Sequence, residues 1–94
     1  MDGINILLVR LKQISDEASA LKQEAIIGVQ ELDRMTEIIE DLKPEDLNDP
    51  ETLDLLRVMK YKKQTLMKEQ KERMEKLDKL HNECEFIGAL IGEL

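Results

Sequence analysis

Both prolines of this 94-residue chain fall inside one eight-residue stretch, Lys43-Pro44-Glu45-Asp46-Leu47-Asn48-Asp49-Pro50. Inside a helix, proline removes a backbone hydrogen bond and clashes with the preceding turn, so Pro44 should end a helix near Leu42 or Lys43. Pro50 works in the opposite sense. Its fixed φ suits the first position of a helix, and the Asp49 carboxylate can accept hydrogen bonds from the free amides of a new first turn. The stretch therefore predicts a helix over about residues 3–42, a tight connection over 43–50 and a helix over about 51–93, together one domain spanning 1–94.

The segment before the turn carries apolar or small residues at alternating spacings of three and four: Ile4, Leu7, Leu11, Ile14, Ala18, Leu21, Ala25, Gly28, Leu32, Met35, Ile39 and Leu42. A seam held at 3.5 residues per turn over more than five heptads is the pattern of coiled-coil packing. After the turn the pattern resumes through Leu56, Met59, Leu66, Leu77, Leu80, Cys84, Ile87, Ile91 and Leu94, but Lys63, Gln70 and Arg73 interrupt its core phases. Met67 and Met74 lie on a neighbouring stripe, so the expected apolar face drifts around the second helix there, with the methionines filling core gaps. Folding back at 43–50 makes the chain an all-α hairpin of two long antiparallel helices. With one Phe, one Tyr, no Trp and 37% charged residues, aliphatic seams rather than a compact aromatic core must supply the packing.

Charge divides along the same line. Residues 2–54 carry 5 basic and 14 acidic side chains, whereas residues 57–79 carry 9 basic and 4 acidic ones. Clustered Lys and Arg suit phosphates, so the second run offers a nucleic-acid reading. The hairpin offers a simpler one, in which Arg57, Lys60, Lys62 and Lys63 come alongside Glu31, Asp33, Glu37 and Glu40. Overall acidity and the lack of stacking aromatics make nucleic acid the disfavoured partner.

Some apolar surface exceeds what one seam can use. Ile26, Ile27 and Val29 surround Gly28, which costs about 1 kcal/mol relative to alanine in a helix interior unless close approach or a bend compensates. Leu8 joins Ile4, Leu7 and Leu11 in an N-terminal patch with Ile6 and Val9, and Phe86, Ile87, Leu90, Ile91 and Leu94 form a C-terminal cluster that an antiparallel hairpin brings beside it. Contiguous exposed apolar surface of this kind marks an interaction face, and two hairpins can bury each other's excess in a four-helix bundle. The same seams also suit an opened, domain-swapped dimer. The expected interface residues are thus Ile4, Leu7, Leu8, Leu11, Ile26, Ile27, Val29, Phe86, Ile87, Leu90, Ile91 and Leu94.

Sites of chemistry are sparse. His81 and Cys84 share a helical face beside Glu85, but a closed metal site needs three or four ligands and one chain supplies one His and one Cys. No Gly-rich phosphate loop, metalloprotease signature or nucleophile turn is present. Gly88 and Gly92 form a small-residue spacing that permits close helix crossing. The connection has neither tryptophan nor glycine, so it lacks the Trp-x-Gly turn of the small secreted helical hairpins related to type VII secretion, and the chain is not assigned to that family. No stretch approaches the roughly 20 apolar residues of a membrane span. The start lacks a basic signal-peptide region, and a single cysteine excludes an intrachain disulfide. The expectation is a cytoplasmic, non-enzymatic interaction module without cofactors, acting as adaptor, chaperone or assembly subunit by self- or hetero-association. The alternatives are a small regulator that sequesters one protein partner and a nucleic-acid binder using residues 57–79.

Overall fold

The computed structural model describes residues 2–94, with side chains from Gly3 onward. Helix α1 spans Asp2–Glu40 and helix α2 spans Pro50–Glu93, joined by a single 3-10 turn at Asp46–Asn48. The two long helices pack against each other, and the described residues contain no strand. The turn forms as its residue types dictate. Asp49 caps α2: Glu51 N–H donates to Asp49 Oδ1 at 3.2 Å, and Thr52 Oγ1 donates to Asp49 Oδ2 at 3.1 Å. Pro50 takes the first helical position, where its missing N–H costs nothing. On the other side α1 stops at Glu40, two residues before the expected end. Lys43 N–H donates to Asp46 Oδ2 at 2.9 Å, so the side chain of Asp46 holds the connection where helical hydrogen bonding has ceased.

Packing divides the chain into two compact units, the chain up to Ala25 with Glu72–Leu94, and Ile26–Lys71. In the first unit Ile14, Leu80 and Ile87 are buried, with Leu7, Leu11, Ala18, Leu21 and Ile91 packed against them. Ion pairs show the antiparallel order, since Arg10 meets Glu83 while Glu24, further along α1, meets the earlier Arg73. In the second unit Gly28 is buried and Leu32, Met35, Ile39, Leu56, Met59 and Leu66 are half-buried.

Along α1 every seam position read from the sequence is buried or half-buried. Helix α2 departs from expectation in an informative way. Lys63, Gln70 and Arg73 are half-buried in the heptad phase, while Met67 and Met74 are 54% and 52% exposed. The apolar face therefore does not drift, and the methionines do not fill the core. Long side chains explain this: Lys and Arg lay their methylene stems along the seam and keep their charged ends at its edge. Arg73 does so with its side chain 21% exposed and its Nε 3.6 Å from Glu24 Oε2.

Candidate functional site

Three surfaces could support a function, and each follows from helical spacing. At 100° per residue, Arg10 and Ser15 fall on opposite flanks of the α1 seam, so the first unit has two distinct sides. One side is closed. Arg10 Nε and Nη2 donate to Glu83 Oε1 and Oε2 at 2.7 and 2.9 Å, a bidentate fork over the half-buried edge of the seam. The fork holds the Glu83 carboxyl below its ordinary pKa and raises that of Arg10, through the hydrogen bond first and the opposite charge second, against desolvation.

The fork corrects the expected seam. Near the end of α2 the packed face runs through Leu80, Glu83, Ile87, Leu90 and Ile91, and Cys84 is exposed. The packed face has turned toward the Arg10 side, where a strong charge-assisted pair can cover it. Leu94, expected in the seam, lies beyond the helix and is 76% exposed.

The opposite side of this unit is open. A groove of about 440 Å³ runs over Leu11, Ile14, Ala18 and Leu80, walled by Ser15, Ser19 and Lys22 from α1 and by Met74, Asp78, His81 and Cys84 from α2. Small residues on the α1 wall leave the space unfilled. His81 Nε2 lies 3.1 Å from Glu85 Oε1, a pairing along one helix at an exposed site. Among the described residues no group of three or more His, Cys, Asp or Glu is placed to hold a metal ion.

The second surface is the outer face of α1 near its start. Ile6 and Val9 are exposed there over a shallow depression shared with Asn5 and Gln13. The third lies in the unit Ile26–Lys71, where Ile26, Ile27, Val29, Ile38, Leu55, Val58, Tyr61 and Met67 are all exposed. No helix of the described residues is long and apolar enough to cross a membrane.

The expected interface residues separate into two groups. Ile4, Leu7, Leu11, Leu90 and Ile91 are half-buried and Ile87 is buried, so their surface is largely spent within the hairpin. Leu8, Ile26, Ile27, Val29, Phe86 and Leu94 are exposed. The charge runs come alongside each other, with Glu31 and Lys62 lining one depression. Arg57 pairs with Asp54 of its own helix at 3.8 Å, and ion pairs between the helices include Arg10 with Glu83 and Arg73 with Glu24. Sequence reasoning missed the Arg10–Glu83 fork because the two residues are 73 positions apart and neither stands in a core phase. Comparison with protein-family models, curated proteins and solved structures finds no match.

Proposed function

We propose that the chain is a non-enzymatic protein-protein interaction module, a coiled-coil hairpin that acts by covering its free apolar faces with further helices, first of all those of its own kind. One observation carries this reading. The chain exposes 7494 Å², whereas a compact monomer of its 10.9 kDa would expose roughly 5,600 Å². The surplus of about 1,900 Å² exceeds the roughly 800 Å² that each partner contributes to a standard interface. Its composition matters as much as its size. Ile6, Val9, Ile26, Ile27, Phe86 and Leu94 are exposed, while only Ile14, Leu80 and Ile87 form the buried core among the described residues. Large apolar side chains left in water in such number favour association.

Adaptor, chaperone and assembly-subunit roles all use such a face. The exposed Ile6 and Val9, set apart from the seam on the outer side of α1, favour as a second reading a regulator that engages one dedicated partner there. Phosphate binding by residues 57–79 is less favoured, because the acidic α1 lies alongside that run.

Sedimentation equilibrium over micromolar concentrations tests the reading, with oligomers expected for the parent chain. Ile91 packs on the core, so a charge there would damage the fold as well as any interface. Exposed positions are the better probes: Val29→Asp with Met67→Asp should retain helicity by circular dichroism and weaken association. A parent chain that is a stable monomer throughout the range would overturn self-association.

A further inference from the structure

Within the unit Ile26–Lys71 each helix carries a second stripe beside its seam. On α1 it runs through Ile26, Val29, Asp33, Glu37 and Glu40, at spacings of three and four, so these residues share one flank. On α2 it runs through Arg57, Lys60, Gln64, Met67 and Lys71, again at spacings of three and four. All ten residues are exposed. Apart from Glu37, which stands one position further round toward the outside of α1, the stripes occupy the heptad positions that, in the unit formed by the chain ends, are Ser15, Ser19 and Lys22 on α1 and Met74, Asp78 and His81 on α2. There those positions wall one common groove. The two stripes of Ile26–Lys71 thus belong to one side of their helix pair.

The antiparallel order fixes what lies beside what. Glu31 and Met35 share a depression with Tyr61, Lys62, Thr65 and Leu66, which sets the level of the two helices. At that register Val29 stands level with Met67, Glu37 with Lys60, and Glu40 with Arg57. The face therefore has one end that is apolar on α1 and mixed on α2, where Lys71 stands level with Ile26, and a charged end that is acidic on α1 and basic on α2. Among the described residues these acids and bases form no ion pair across the helices within 4.0 Å; Arg57 instead reaches Asp54 on its own helix.

We infer that this face, the Ile26-to-Glu40 stripe with the Arg57-to-Lys71 stripe, receives a second copy of the chain. The two copies are related by a two-fold axis parallel to the helices, so that α1 of each lies on α2 of the other. The inference rests on the self-association proposed above and names its surface and symmetry. Three arguments select this occupant. First, such an axis keeps every level unchanged while exchanging the helices, so Glu37 and Glu40 meet Lys60 and Arg57 of the second copy and Val29 meets its Met67. Second, an axis perpendicular to the helices would lay α1 on α1 in reversed order, setting Glu37 and Glu40 against the Val29 and Ile26 end of the second copy with no base opposite them, which charge complementarity disfavours. Third, the face leaves Ile26, Val29 and Met67 in water, and a second copy would cover them. A two-fold contact needs a patch complementary to itself, and an acidic stripe beside a basic one at matched levels meets that requirement.

Charge reversal in trans tests the inference. One variant carries Glu37→Lys and Glu40→Lys, and a second carries Arg57→Glu and Lys60→Glu. Two-fold symmetry makes each reversed contact count twice, so either variant alone should dimerise about 100-fold more weakly than the parent. Mixing the two at equal concentration should restore a one-to-one heterodimer, seen by sedimentation with one variant labelled. Circular dichroism of each variant checks that both helices persist. If the parent dimerises and each variant does so equally well, the interface lies elsewhere and the inference is overturned. It is also overturned if mixing fails to restore a heterodimer while all four changes in one chain do restore a homodimer, because the charges then act within the chain. A parent that stays monomeric would instead overturn the self-association on which the inference rests.

Discussion

Lys63 is the most revealing position to change, because it stands in a core phase of α2 with a polar side chain. Its site is half-buried, while the neighbouring stripe of Met67 and Met74 is more than half exposed. Lys63→Leu should therefore stabilise the fold. Fully burying a leucine contributes about 1.5–3 kcal/mol, and a half-buried site realises about half of that, so the expected gain is about 1 kcal/mol. Unfolding entropy of about 2.1 cal/mol/K per residue over 94 residues gives about 0.2 kcal/mol/K, and the gain becomes a rise in Tm of about 5 °C. Met74→Gln provides the contrast. At an exposed site it should cost no more than about 0.5 kcal/mol, whereas a core methionine would cost about 2 kcal/mol or more. The assay is thermal unfolding followed by circular dichroism at one fixed protein concentration, so that association does not move the midpoint. If Lys63→Leu lowers Tm, or Met74→Gln lowers it by about 10 °C or more by the same conversion, then the packed face does drift toward the methionines and the heptad phase through Lys63, Gln70 and Arg73 is wrong.

Two further outcomes follow from named contacts. Asp49→Ala removes both acceptors that cap α2 and should destabilise by about 1 kcal/mol, with Asp49→Ser recovering most of the loss, as read from urea midpoints. The Arg10–Glu83 fork predicts a pH dependence with a definite sign. Glu83 in the folded chain has a pKa below its ordinary 4.5, so the stability it confers is complete above that pH and is lost as pH falls from there through the lowered value. Glu83→Gln should flatten this acid limb in urea titrations, and an unchanged slope below pH 4.5 would show that the fork does not persist in solution.

Much of the architecture was legible because it depends on local rules. Pro44, Asp49 and Pro50 specify the end of one helix and the start of the next through backbone chemistry within a few residues. The seam from Ile4 to Leu42 specifies the packed face of α1, since every member is aliphatic or small and the period admits one reading. Where α2 placed Lys63, Gln70 and Arg73 on the seam, hydropathy pointed to the methionine stripe instead. Hydropathy scores a whole residue, whereas a long cationic side chain is apolar for most of its length and can hold a core phase with its end outside.

The sequence by itself determined two helices, the site of the turn, the face that α1 buries and the excess of apolar surface over what a single hairpin can cover. Tertiary structure alone decided how that excess is distributed. Leu7, Leu11, Ile87 and Ile91 are spent on the core, while Ile26, Val29 and Phe86 are left in water. It also decided that Glu83 rather than Cys84 joins the packed edge, because Arg10, distant in sequence, arrives there with a guanidinium that the carboxylate can bind through both oxygens. Periodicity fixes the angle of a side chain about its own helix. Which flank of that helix is then sealed or left open depends on the partner at the same level, and that partner is known only once the chain has folded back.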